Sequence, residues 1–73
     1  MDWDLCKTFV AVAETGSFAA AARRLRSSHP TVGRKIAELE GQLGIPLFAR
    51  STDGLSLTSQ GRKFREQIRR AHV

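Results

Sequence analysis

The sequence contains a single cysteine, two prolines and no long run of apolar residues. One thiol, Cys6, cannot form an internal disulfide, and nothing indicates an oxidising compartment, so we expect a cytoplasmic protein. No apolar stretch reaches the roughly 18–20 residues that a membrane-spanning helix needs. A chain of 73 residues allows one small domain. Because such a domain hides only about 60% of the surface that its unfolded form exposes, we expect no fully enclosed pocket.

Signatures of catalysis and of metal binding are also missing. Serine, histidine and aspartate are present, but no nucleophile elbow accompanies them. No glycine-rich phosphate loop occurs, and Cys6 and His29 lack the paired spacing of metal ligands. We therefore expect no enzyme activity, no cofactor and no metal site.

Positive charge is in excess and is concentrated in two blocks. Twelve Lys and Arg oppose seven Asp and Glu, which gives a net charge of +5. Nine of the twelve are arginine, whose guanidinium group matches phosphate oxygens in a bidentate geometry. Residues 23–37 sum to +5 and residues 62–73 to +4. These blocks favour a phosphate-bearing partner, while a basic face kept only for solubility is the alternative that charge alone leaves open.

The first two predicted helices are short. An apolar stripe that includes Leu5 and Phe9 forms one face of the first helix, and Gly16 ends it. Ser17 is a suitable N-cap for a second, alanine-rich helix over residues 18–25. The alanines leave little side-chain bulk, so another helix can approach closely.

A third helix follows after only three residues. Ser28 is its predicted N-cap, Pro30 lies in its first turn and Gly44 ends it. Its apolar positions recur with helical spacing and comprise Val32, Ile36, Leu39 and Leu43. Two helices joined by so short a turn are typical of a helix-turn-helix, whose second helix, the recognition helix, lies in the DNA major groove.

A hairpin and a last helix complete the predicted fold. Residues 47–50 and 55–57 flank a turn at residues 51–54, which ends in Asp-Gly. Thr58 is the predicted cap of the last helix. The fold class we expect is mainly α: a winged helix-turn-helix with a three-helix core and a two-stranded wing.

The predicted DNA-contacting residues lie at the start of the recognition helix and in the wing. Arg34 is the best candidate for a contact with a base or a phosphate, and Arg50 and the wing tip suit an adjacent minor groove. The full set is Ser28, His29, Pro30, Thr31, Gly33, Arg34, Lys35, Arg50, Thr52, Asp53 and Gly54.

Several alternatives remain open at this point. Ser28 and Thr31 are also suited to capping the helix, and Arg34 is also compatible with a solubilising surface role. A three-helix domain with a hairpin is also compatible with a protein-interaction module, and the basic last helix with a weak membrane-surface role. A dimer seam formed by Phe64, Ile68 and Ala71 has its own alternative, in which this stripe packs on the chain's own first helix.

The chain also resembles the LysR-type transcriptional regulators over essentially its whole length. The resemblance rests on several motifs at fixed separations, including Leu39-Glu40, Leu43-Gly44, Leu47-Phe48 and Arg50. The longer motifs are FVAVAETGSF (residues 9–18), AARRL (21–25), SHPTVGRKI (28–36) and LSLTSQG (55–61).

The resemblance implies a DNA-binding domain at residues 1–57 and the start of a linker helix at residues 58–73 that pairs two subunits. It implies a homodimer on double-stranded operator DNA with two-fold related half-sites, and higher oligomers are compatible with the full-length protein. A small-molecule effector would bind only a further domain that this chain lacks. Two residues depart from the family pattern: His29 stands where glutamine is usual, and Gly33 where serine is frequent.

Overall fold

The computed structural model describes residues 2–71 and contains four helices and one two-stranded antiparallel sheet in that range. The predicted order of three helices, a hairpin and a last helix is confirmed. In chain order the elements are α1 (Trp3–Thr15), α2 (Phe18–Leu25), α3 (His29–Leu43), β1 (Phe48–Ser51), β2 (Gly54–Leu57) and α4 (Ser59–Ala71).

The helix ends follow the predicted capping residues. Ser17 and Ser28 are the N-caps of α2 and α3, and each hydroxyl accepts a backbone N–H from the first turn of its helix. Gly16 and Gly44 end α1 and α3 at φ of 80° and 71°, a conformation that glycine adopts without a Cβ clash. Arg26, which ends α2, is the one non-glycine residue in the described range with positive φ, at 54°.

Phe9 of α1 connects the helical core to the rest of the molecule. Its side chain is fully buried, and its ring centroid lies 5.4 Å from that of Phe48 and 5.2 Å from that of Phe64. The wing and α4 therefore both pack on α1. The apolar stripe of α3 is buried at Val32, Ile36 and Leu39, which leaves the opposite side of α3 exposed.

The strands of the wing differ from the prediction by one residue at three ends. The first strand is predicted at residues 47–50 and the second at 55–57, whereas β1 is Phe48–Ser51 and β2 is Gly54–Leu57. Leu47, predicted to begin the first strand, precedes it, because its N–H donates to the Glu40 carboxylate instead of to the opposite strand. Ser51 and Gly54, predicted as turn residues, instead pair with each other. The loop is thereby reduced to two residues, Thr52 and Asp53.

The start of α4 is fixed by Thr58, as predicted. Its Oγ1 accepts the Gly61 N–H at 2.9 Å and donates to the Pro46 carbonyl at 2.6 Å. The predicted boundary between residues 1–57 and residues 58–73 falls at this cap, although the division into two units stays a prediction. Residues 72 and 73 of the predicted linker helix lie outside the described residues.

Candidate nucleic-acid interface

The first turn of α3 presents small polar groups to solvent. Ser28, His29 and Pro30 are exposed, and Thr31 is half-buried. The Ser28 hydroxyl donates to Thr31 Oγ1 at 2.9 Å and accepts the Thr31 N–H at 3.3 Å. The capping alternative for Ser28 is thus realised, while its exposure leaves the hydroxyl accessible to a phosphate oxygen.

Arg34 and Lys35 are adjacent in sequence but lie in different environments. Arg34 is exposed and forms no hydrogen bond or ion pair with any of residues 2–71. Lys35 Nζ instead lies 2.7 Å from the Asp4 carboxylate of α1. This hydrogen bond is the main reason why the pKa of Asp4 is lowered. Of the two cations predicted on α3, Arg34 alone is free in the described chain.

Gly33 lies on α3 facing Phe18, with enough space for a side-chain carbon. A Cβ at this position would approach the Phe18 Cδ2 to 3.9 Å, an ordinary van der Waals contact. The packing of the chain therefore does not require glycine here, in contrast to Gly61, where a Cβ would overlap the Leu47 carbonyl oxygen.

Phe18, the first residue of α2, also belongs to this surface, although it is not among the predicted DNA-contacting residues. The Arg50 Cζ lies over its ring, 5.4 Å from the centroid. The His29 ring packs against it in a T-shaped arrangement with centroids 5.6 Å apart. These three side chains line an open cleft of about 280 Å³ between α2, the start of α3 and the wing. Helical periodicity gives no signal for a contact with a strand residue 32 positions away.

The wing tip is exposed and stabilised by its own hydrogen bonds. Ser51 Oγ accepts the Asp53 N–H at 3.3 Å and donates to the Gly54 carbonyl at 3.4 Å. Thr52 is exposed beside them, and the Asp53 carboxylate pairs with no cation of the described range. Like charges repel, so the Thr52 hydroxyl and the backbone N–H groups suit a phosphate better than the carboxylate does.

The base of the wing is held by Glu40, which the sequence marks only as part of the Leu39-Glu40 motif. One carboxylate oxygen of Glu40, near the end of α3, accepts the N–H of Leu47 at 2.7 Å and of Phe48 at 3.3 Å. Charge-assisted hydrogen bonds of this kind are shorter and stronger than neutral ones. The recognition helix and the first strand of the wing are therefore coupled directly through one side chain.

The predicted dimer residues divide between the core and the surface. Phe64 is 6% exposed and packs edge-on against Phe9, which is the alternative that the sequence left open for this residue. Ile68 is half-buried and Ala71 is exposed. Ile68 also lines a mainly apolar groove of about 250 Å³ between α1 and α4, beside Trp3, which is 52% exposed.

Two further observations bear on other functions. Among residues 2–71, no three or more His, Cys, Asp and Glu side chains are grouped in a way that could hold a metal ion. No helix in the same range has the length and the apolar character needed to cross a membrane.

Comparison with known proteins identifies what the chain is similar to. The family described as "Bacterial regulatory helix-turn-helix protein, lysR family" matches residues 3–62. The HTH-type transcriptional regulators TcbR of Pseudomonas sp. (strain P51) and ClcR of Pseudomonas putida are each 46% identical over 70 residues, or 96% of this chain. The chain spans about a quarter of the length of these relatives, 24% in each case.

Solved structures show the same likeness in three dimensions. The DNA-binding domain of CbnR in complex with DNA superposes with a TM-score of 0.89 at 45% identity, covering 97% of this chain and 82% of that one. The BenM DNA-binding domain bound to benA site 1 DNA gives 0.90 at 34% identity, covering 97% and 80%. The winged helix-turn-helix fold expected from the sequence is thereby confirmed.

Proposed function

The chain belongs to the LysR family of bacterial regulatory helix-turn-helix proteins, and we propose that it binds double-stranded DNA sequence-specifically as the DNA-binding part of a transcriptional regulator. The observation that best supports this proposal is the exposed start of α3. Its first turn presents small polar residues, and they are followed by Arg34, whose guanidinium has no partner within residues 2–71. The neighbouring CbnR and BenM structures are themselves DNA complexes.

The proposed binding mode follows from the two sides of α3. Val32, Ile36 and Leu39 anchor it to the core, so its exposed side is available to enter the major groove, which at about 12 Å wide admits a helix. Arg34 then reaches a base edge or a phosphate. The wing tip at Thr52 contacts the adjacent minor groove or its phosphates.

The proposal includes a homodimer on a two-fold related operator. The contact with a second copy is assigned to the outer side of α4 at Ile68 and Ala71, because Phe64 is occupied within the subunit. The exposed Trp3 borders the same groove, so apolar area is available there for a partner helix. Higher oligomers and a small-molecule effector belong to segments of the regulator beyond this chain.

Selection of bound duplexes from a random pool tests the function directly. We expect a palindromic consensus, and an affinity whose logarithm falls with the logarithm of salt concentration by about 0.9 for each phosphate contacted. On adding the selected duplex, amide chemical-shift changes should include residues 28–35, apart from Pro30, which has no N–H. Absence of binding to any duplex at moderate salt would contradict the proposal and favour a protein-interaction module.

A further inference from the structure

One aromatic ring of α2 contacts both the wing and the recognition helix. Phe18 lies beneath the Arg50 guanidinium and against the His29 imidazole. Its Cδ2 and Cε2 edge faces Gly33, 3.9–4.0 Å from the point that a Cβ would occupy. Three residues predicted to face DNA, from two separate elements, therefore meet at a side chain that is not itself one of them.

We propose that Phe18 is a positioning residue for DNA recognition. It holds the Arg50 guanidinium of the wing at a fixed position relative to the first turn of α3. The inference rests on the proposed function, because this relative position matters only if the wing and α3 bind the same duplex. Phe18 acts through Arg50 and needs no contact of its own with DNA.

The side chain of Arg50 has many accessible conformations unless a neighbouring group restricts it. Arg50 is an exposed residue of β1, opposite Leu55 in the hairpin, and its guanidinium forms no hydrogen bond or ion pair within residues 2–71. A long side chain without a partner samples many rotamers, and ordering it on binding costs free energy. A guanidinium is attracted to an aromatic face, so the ring of Phe18 orders Arg50 before DNA arrives.

The contact with Phe18 also leaves the Arg50 guanidinium able to bind a phosphate. A guanidinium that stacks on an aromatic ring keeps its in-plane N–H groups free, and these are the groups that bind a phosphate. The cleft beside the ring is open to solvent and is bordered by Gly16, Ser17 and Gly54, which bring no opposing charge. A phosphate oxygen can therefore approach the ordered guanidinium without displacing it from Phe18.

A first experiment detects the contact without DNA. In the wild-type chain, ring current should shift the Arg50 side-chain NMR resonances upfield. Phe18→Leu keeps apolar volume and should return them to ordinary values, whereas Phe18→Tyr should keep the shift. Phe64→Leu is a matched control, because Phe64 contacts Phe9 from α4, and should leave the Arg50 resonances unchanged. Identical Arg50 resonances in wild type and Phe18→Leu would overturn the proposal.

A double-mutant cycle then tests the role in recognition. For the selected duplex we expect Phe18→Leu to weaken binding about threefold to tenfold, the range of a partly exposed cation–π contact, and Phe18→Tyr to restore it. In an Arg50→Ala background, Phe18→Leu should change affinity little, because Phe18 acts through Arg50. Thermal unfolding of each variant checks that it is folded at the temperature at which its affinity is measured.

The outcomes separate the two proposals. Additive effects of the two substitutions, or a Phe18→Leu affinity equal to that of wild type, would overturn the positioning role while leaving DNA binding intact. A wild-type chain that binds no duplex would contradict the proposed function and this inference together.

Discussion

Lys35 Nζ lies 2.7 Å from the Asp4 carboxylate, so a cation that the sequence assigned to DNA is held by the first helix of its own subunit. The two side chains are 32% and 53% exposed, and an ion pair this accessible contributes little to stability. Its larger effect is on what Lys35 is free to bind, because a phosphate and Asp4 compete for the same ammonium group.

Removing Asp4 should therefore strengthen DNA binding through Lys35. We expect Asp4→Asn to raise the affinity for random duplex DNA and to make the salt slope steeper by about one unit, the value of one added phosphate contact. Glu14→Gln is the matched control, since it frees Arg24 from its ion pair and changes the net charge equally. Equal gains in both variants would contradict a specific role of Lys35, because the change in net charge would then account for the effect.

The same ion pair predicts a pH dependence. The hydrogen bond from Lys35 lowers the pKa of Asp4 from its ordinary value of 3.8 because it favours the ionised carboxylate. With a lowered folded pKa, the stabilising contribution is fully present above about pH 3.8 and is lost as the pH falls through the folded pKa. The Asp4 carboxyl ¹³C resonance should therefore titrate at lower pH in wild type than in Lys35→Met. Coincident titrations would contradict the coupling.

Local sequence signals were enough to predict the helices. Ser17, Ser28 and Gly44 act within one turn of their own chain position, through side-chain caps and a left-handed glycine. The buried stripe of α3 follows from its 3.6-residue period. These features need no knowledge of distant residues, which is why the order of elements and the helix-turn-helix could be predicted.

The contacts that shape the interface could not be read in this way. Phe18 with Arg50, and Lys35 with Asp4, join residues about 30 positions apart on different elements. The displaced start of β1 has the same origin, because the Glu40 carboxylate of α3 takes the N–H of Leu47 away from the opposite strand. Sequence periodicity marks which side of an element is buried, but it does not identify the residue that covers it.

Glu40 should be important for the stability of the wing. Its carboxylate accepts two backbone N–H groups, from Leu47 and Phe48, and Glu40→Ala leaves both without this partner. We expect a loss of about 1–3 kcal/mol in the free energy of unfolding, measured by urea denaturation, and faster amide exchange at both donors. Glu40→Gln, which keeps an amide oxygen, should lose less.

The exposed Glu38 provides the control for this change, because Glu38→Ala removes a carboxylate from the same helix. Its effect should stay within about 0.5 kcal/mol. Equal losses at the two positions would mean that the wing does not depend on the Glu40 hydrogen bonds.

Two helical glycines should respond to alanine in opposite directions. At Gly61 a Cβ would overlap the Leu47 carbonyl oxygen and crowd Leu57, so Gly61→Ala should destabilise the chain by about 1–3 kcal/mol. At Gly41, in α3, nothing lies within 4 Å, and Gly41→Ala should stabilise by roughly 0.5–1 kcal/mol. Thermal unfolding measures the direction of the stability change in both variants. An unchanged stability of Gly61→Ala would rule out the close approach of α4 to Leu47.

Arg34 should contribute to selectivity as well as to affinity. It is exposed and unpaired within the described range, one turn beyond Pro30, so its guanidinium is available to a base edge. Arg34→Ala should cost about 1–3 kcal/mol on the selected duplex if the side chain reads a base, with a smaller loss on random DNA. Arg70→Ala removes an equal charge from α4, where Arg70 pairs with Glu66 at 3.7 Å.

Titration of both variants with both duplexes separates base reading from general electrostatics. A phosphate contact weakens all sequences alike, whereas a base contact lowers the ratio of specific to random affinity. We expect that ratio to fall for Arg34→Ala and to hold for Arg70→Ala. If Arg34→Ala weakened both duplexes equally, Arg34 would be a phosphate contact, and selectivity would have to come from other residues of the first turn of α3 or from the wing.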